Sequence, residues 1–224
     1  MNSLFPLIID AANTSAFVLF GAPTTWGEVA GFASGALCVW LVARMSIWNW
    51  PIGIANNLFF LLLFFSAGLY ADGGLQIVFI MLALYGWWAW LRGGTARSEL
   101  PASRTTGRQW AMLAGAGIVG TTAMTWFLSA HTDSTVPLAD AFTTVLSLLA
   151  TWGQTRKKVE SWWLWILADV IYVPLYLHKN LTLTALLYLG FMALCIVGLT
   201  RWRRELRTSA SAASPPPAVV EAVA

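Results

Sequence analysis

Residues 156–169 read R-K-K-V-E-S-W-W-L-W-I-L-A-D, and residues 44–57, 112 positions earlier, read R-M-S-I-W-N-W-P-I-G-I-A-N-N. Each stretch opens on an arginine (Arg44, Arg156), has a tryptophan at its seventh position (Trp50, Trp162) and closes on a polar residue, Asn57 or Asp169. The same offset pairs Leu37 with Leu149, Trp40 with Trp152, Leu69 with Leu181 and Phe79 with Phe191. It also pairs Gly86 with Gly198, Trp90 with Trp202 and Arg92 with Arg204, all without a gap. Three tryptophan pairs on one register mark two copies of one structural unit.

The surrounding composition says where those units sit. Of the 224 residues 58% are hydrophobic and 10% charged, against roughly 25% charged in soluble domains. Mean hydropathy is +0.67. A soluble fold of this size cannot hide so much apolar surface, whereas a bilayer can, and it takes tryptophan at its interfaces. A spanning helix needs about 20 mostly apolar residues. Seven windows qualify, at about 27–43, 49–68, 73–91, 110–129, 138–154, 162–178 and 182–200. Asn49 with Pro51 marks one helix start, and Asp72 and Asp140 are candidate caps for two others.

Arginine and lysine gather after the odd-numbered windows: Arg44; Arg92, Arg97, Arg104 and Arg108; Arg156, Lys157 and Lys158; Arg201, Arg203, Arg204 and Arg207. The alternate loops hold Asp72, His131, Asp133, His178 and Lys179. Positive charge stays inside, so every odd span exits into the cytoplasm and the C-terminus is cytoplasmic. Each repeat has three spans, an odd number, so the fourth span must restore direction between them. The expected fold is an all-α membrane protein with seven core transmembrane helices, two parallel three-helix repeats joined by a linker helix (3+1+3).

The organisation reads as five segments. Residues 1–25 form an N-terminal amphipathic or partly inserted segment without signal-peptide features. Residues 26–92 are repeat 1, 93–137 a cytoplasmic loop with the linker helix, and 138–204 repeat 2. Residues 205–224, rich in Ala, Ser and Pro, form a disordered cytoplasmic tail. Cys38 and Cys195 sit in apolar runs and read as small buried hydrophobes, with no disulfide. No metal or other cofactor is expected, and no basic tract points to nucleic acid.

One helix carries the chemistry. Trp162, Trp165, Asp169, Tyr172 and Tyr176 stand at helical spacing along one stripe of the sixth span. A carboxyl at mid-depth costs about 2.5–3.5 kcal/mol on insertion scales, so it faces the bundle interior. Aromatic faces attract an organic cation by about 0.5–2 kcal/mol each, and the carboxylate supplies a counter-charge. The repeat partners of this stripe are Trp50, Gly53 and Asn57; Asp72, Gln76 and Phe79 share a face of the third span, and Tyr188 is the repeat partner of Gln76. The plainer readings are belts and packing for the aromatics (Trp48, Trp50, Trp87, Trp88, Trp90 and Trp202 read as a cytoplasmic-side belt) and helix-to-helix hydrogen bonds for Asn57, Gln76 and Asp169. A membrane enzyme is the rival class; G-x-S-x-G, H-E-x-x-H and Walker-type motifs are all missing. A sensory membrane protein is another rival, and it has no need of a mid-membrane aspartate on an aromatic stripe.

Four segments taken together resemble the PnuC family of nicotinamide riboside transporters: N-W-P-I-G-I-A-N-N (49–57), L-Y-A-D-G-G-L-Q (69–76), Y-G-W-W-A-W (85–90) and residues 156–169. The resemblance implies a fold akin to SWEET sugar carriers, assembly as a homotrimer among membrane lipids, and uniport of a vitamin precursor. Intracellular phosphorylation then traps the substrate and feeds NAD biosynthesis. It also implies that a W-x-x-W-x-x-x-N motif lines the substrate pocket, here Trp162, Trp165 and position 169, together with Gln76. Asp169 departs from that motif. It suits the fixed positive charge of nicotinamide riboside or thiamine, leaves proton coupling open, and disfavours neutral riboflavin. The expected substrate-binding set is Trp162, Trp165, Asp169, Gln76, Asn57, Tyr172 and Tyr188.

Overall fold

The computed structural model describes residues 11, 14–19, 22–66, 68–132, 134–178 and 182–212. Seven long helices occupy the seven apolar windows: α1 Trp26–Ala43, α2 Asn49–Ser66, α3 Tyr70–Arg92, α4 Gly107–His131, α5 Pro137–Thr155, α6 Ser161–His178 and α7 Thr182–Ala212. Two features differ from expectation at the ends. Ahead of α1, strands β1 (Ser15–Leu19) and β2 (Ala22–Thr25) pair antiparallel, so that part of the N-terminal segment is a hairpin; residues 1–10 lie outside the described residues. At the other end α7 runs through residues 205–212, where a disordered tail was expected; residues 213–224 lie outside the described residues.

Helix starts are set locally. Pro137 opens α5 at its first position, where a missing N–H costs nothing. Thr106 and Gln109 form a reciprocal capping box on α4. The expected aspartate caps are not caps. Leu69 precedes α3 with no side-chain bond, and Asp72 lies exposed in the first turn. Asp140 sits in the first turn of α5 and accepts a hydrogen bond from Ser134 Oγ at 2.6 Å.

By length and composition α2, α3, α4 and residues Thr184–Ser209 of α7 can each cross a bilayer. The apolar part of α1, Val29–Ala43, is shorter. Thr143, Ser147, Gln154 and Thr155 of α5 and Asp169 of α6 are all buried.

The repeat is visible atom by atom. The turns after α1 and α5 each place a residue in the left-handed region, Met45 at φ 55° and Lys157 at φ 47°. Arg44 lies over the Trp40 ring at 4.1 Å, and Arg156 over Trp152 at 5.6 Å. Trp50 meets Trp90 edge-on with ring centroids 5.3 Å apart, and Trp162 meets Trp202 in the same way at 5.5 Å. Trp90 Nε1 donates to Gln154 O at 2.9 Å and Trp202 Nε1 to Val42 O at 3.0 Å. Val42 and Gln154 are themselves repeat partners, so each half holds the other by the same bond. All these matched contacts gather at one end of the bundle, which makes the repeats parallel. Trp50, Trp90, Trp162 and Trp202 are at most 4% exposed. Trp50, Trp90 and Trp202 are therefore interior packing rather than belt residues, whereas Trp48 and Trp88 are exposed as expected.

The linker helix α4 packs on α5, where a Cβ added at Gly117 would meet Leu149 and one at Gly120 would meet Val145 at van der Waals distance. Its outer face, with Met112, Ile118, Val119 and Trp126, is exposed. The α3–α4 connection crosses the turn after α5: Ser103 N donates to Lys157 O, Val159 N to Ser103 O, and Thr105 to Glu160 Oε2. Lys157 is buried there with Nζ 4.6 Å from the Trp90 ring centre. Burial pulls its ammonium below the usual lysine range, against the opposing pull of Glu99 and Glu205.

Candidate functional site

Between the two repeats lies a cavity of about 490 Å³. α1 contributes Gly31, Gly35, Cys38 and Val42, α2 Trp50, Gly53, Asn56, Asn57, Phe60 and Phe64, and α3 Gln76, Phe79 and Ala83. α5 contributes Thr151 and Gln154, α6 Trp162, Trp165 and Asp169, and α7 Tyr188, Phe191 and Cys195. Much of the lining consists of repeat partners: Trp50 with Trp162, Gly53 with Trp165, Asn57 with Asp169, Gln76 with Tyr188, and Phe79 with Phe191. Where one half has Gly53 the other has the Trp165 ring, so the cavity is asymmetric and has room on one side.

Six of the seven expected residues line this space: Trp162, Trp165, Asp169, Gln76, Asn57 and Tyr188. Tyr172 is outside the lining. Its ring packs on Tyr188, centroids 4.7 Å apart, and on Tyr176 at 5.6 Å, and it lies beside Thr143 and Ser147 of α5. The tyrosine cluster thus walls the cavity behind Tyr188. Asp72 is outside the lining too. At the opposite end the tryptophan quartet closes the space, with Trp50 and Trp162 facing the cavity and Trp90 and Trp202 behind them. From Trp162 to Asp169 is seven residues of helix, about 10 Å, so indole and carboxyl stand about two turns apart along the cavity.

The polar atoms left over define the chemistry. Trp50 Nε1, Trp162 Nε1, Trp165 Nε1 and Asp169 Oδ2 are buried with no hydrogen-bond partner. Buried polar groups are normally satisfied, so these four atoms on one cavity are where water or a ligand's polar atoms can bond. The indoles only donate and suit carbonyl or hydroxyl oxygens. Asp169 faces the Cys195 thiol, a weak donor, and the lining holds no Lys, Arg or His. Asn56 is already engaged, Nδ2 donating to Ser34 Oγ at 2.6 Å.

The lining also holds Trp50, the repeat partner of Trp162 but outside the expected binding set, and Asn56, Phe60, Phe64, Gln154 and both cysteines, which the sequence reading does not point to. The repeat register could have found some of them. Cys195 is the partner of Ala83 and Gln154 of Val42, and all four line the cavity. Cys38 and Asn56 carried no such signal, since their partners, Ala150 and Ala168, are fully buried packing.

Two parallel three-helix repeats enclosing an aromatic and polar cavity are the architecture of a multi-pass membrane transporter of a small solute. Residues 25–204 match the Nicotinamide mononucleotide transporter family, and the chain belongs to it. It is 32% identical over 203 residues to the riboflavin/roseoflavin transporter RibM of Streptomyces davaonensis, covering 87% of this chain and 94% of the relative. It is 27% identical over 224 residues to the nicotinamide riboside transporter PnuC of Escherichia coli, covering 86% and 91%. The crystal structure of the vitamin B3 transporter PnuC superposes with a TM-score of 0.62 at 25% identity, over 80% of each chain.

Proposed function

We propose that this transporter imports nicotinamide riboside across the bacterial inner membrane by facilitated diffusion, with intracellular phosphorylation trapping the substrate. The observation that carries this reading is the buried Asp169 carboxyl, with one oxygen unpartnered and no protein cation in the cavity. A pyridinium ring stacked on Trp165 and Trp162 brings the missing positive charge. Its carboxamide and ribose oxygens accept from the orphan indoles, and its ribose hydroxyls reach Gln76 and Asn57. Thiamine, with a fixed thiazolium charge, meets the same requirement, and proton coupling through Asp169 is the variant mechanism for either cation. A second reading, riboflavin, is favoured by the likeness to RibM over nearly that relative's whole length. Its ring carbonyls suit the same three indole donors, with Asp169 then held protonated.

The reading extends to placement. The arginine-bearing end, with the C-terminus, lies in the cytoplasm. Copies assemble as a homotrimer, and the exposed face of α4 meets lipid or another copy.

Isothermal titration of the purified protein with nicotinamide riboside, thiamine and riboflavin in turn tests the substrate. Saturable binding of nicotinamide riboside alone is the expected result. Binding of riboflavin alone overturns the counter-ion argument, and binding of thiamine alone retains it while moving the substrate.

A further inference from the structure

The repeat also exposes an asymmetry at the arginine-bearing end. After α3 the chain turns back, and residues 93–106 cover the corner between α3 and the end of α5, bringing Glu99 near Lys157. In the second repeat the equivalent helix, α7, runs straight on to Ala212 with no return loop among the described residues. Among those residues the equivalent corner, between α7 and the end of α1, is an open cavity of about 390 Å³. Ala43, Arg44, Met45, Arg201, Arg204, Glu205 and Thr208 line it, three arginines against one glutamate. Among the described residues none of these arginines has an ion-pair partner. Arg44 rests on the Trp40 ring, and the charge of Glu205 acts on Lys157.

We propose that this corner is a binding site for a phosphate group, carried either by an anionic phospholipid or by a soluble phosphate ester. Three guanidinium groups, two from α7 and one from the turn after α1, offer the forked donor geometry that phosphate oxygens accept, and guanidinium surrenders its water more readily than ammonium. The place of the site supports this chemistry. Arg201 is the first charged residue along α7, after the uncharged run 182–200, where an arginine is expected to reach the headgroup level. The other half covers the same corner with its connecting loop, whose Glu99 acts on Lys157, whereas the open corner sets three arginines against Glu205 alone. The site is separate from the central cavity and does not depend on the identity of the transported solute.

Thermal melting of the full-length protein in neutral maltoside micelles tests this. The probes are dioleoylphosphatidylglycerol, with dioleoylphosphatidylcholine as its control, and inorganic phosphate, with chloride at matched ionic strength. At least one anionic probe should raise the melting temperature saturably. The effect should fade as salt rises, because exposed charges are screened within about 10 Å at 0.1 M. A shift with phosphatidylglycerol alone identifies a lipid headgroup, and one with inorganic phosphate identifies a soluble ligand. The double substitution R201Q/R204Q should raise the half-saturating concentration about tenfold or more. R97Q/R108Q, at the same end but outside the cavity, should leave it unchanged. Glu205→Gln removes the only carboxylate in the lining and should tighten binding, which keeps the test decisive if the arginine variants do not fold. No shift with either probe, or equal weakening by both arginine pairs, overturns the site in favour of a diffuse positive surface.

Discussion

Replacing Gly198 by alanine tests the tryptophan framework directly. A Cβ at Gly198 lies 2.4 Å from both Cη2 and Cζ2 of Trp162 and 2.7 Å from Cε2. Carbon atoms settle at about 3.5–4.0 Å, so the ring must retreat by roughly 1 Å. Its one open side is the cavity, so it can retreat only by taking space from a ligand. Trp162 is 0% exposed, its ring stands edge-on to Trp202, and Trp202 is held in turn by its bond to Val42 O. Overpacking of this kind costs about 1–3 kcal/mol, and three ring atoms in collision put this case in the upper half. Removing a helical glycine returns at most about 1 kcal/mol. The net loss is then about 1–2 kcal/mol, and each kcal/mol lowers the melting temperature of a chain this size by roughly 2–4 °C. Because Trp162 faces the cavity, ligand affinity should fall with stability. Gly86→Ala should behave alike, since its Cβ meets Trp50 at 2.4 Å. Gly190→Ala on the same helix as Gly198 meets nothing within 4 Å and should melt at or above the parent temperature. Thermal melting in detergent, with titration of whichever vitamin binds, reads both quantities. A Gly198→Ala protein that melts and binds like the parent, or a Gly190→Ala protein that is equally damaged, would refute the proposed packing.

Further predictions concern the cavity and the bonds between repeats. Asp169→Asn should weaken a cationic ligand about tenfold or more while the protein stays folded, and unchanged affinity in titration would remove the counter-ion role. Trp165→Ala should raise the dissociation constant about tenfold, whereas a change in expression alone would assign Trp165 to packing. Trp90→Phe and Trp202→Phe each delete one buried bond between repeats and should destabilise by similar amounts, about 1–2 kcal/mol; strongly unequal melting temperatures would count against the symmetric arrangement. The only two cysteines, Cys38 and Cys195, both line the cavity. Bound ligand should slow labelling by a small maleimide, and identical labelling with and without ligand would place binding elsewhere.

The helices and their number were legible along the chain because a spanning segment needs only length and apolar composition, both local properties. The repeat was legible for a related reason. A duplicated unit keeps the residues that fix its own turns, so Arg44 and Arg156, Trp50 and Trp162, and Gly86 and Gly198 stayed in register. The stripe of α6 was readable from helical spacing, and Trp162, Trp165 and Asp169 do face one cavity. Reading further along the same stripe went wrong at Tyr172, because a face of a helix is wider than a pocket. Tyr172 meets Tyr188 and α5 instead. The tryptophans show the other limit. Trp48 lies on the surface and Trp50 in the interior, two residues apart at the same end of the bundle, and composition cannot separate a belt from a core. That distinction depends on which side a neighbouring helix approaches, and the neighbours of Trp50 and Trp162 are Trp90 and Trp202, forty residues further on. The orphaned indole donors, the two cysteines in the lining and the open arginine corner depend in the same way on contacts between segments distant in the chain. Periodicity assigns a residue to a face of its own helix; only the packing of the seven helices determines what that face meets.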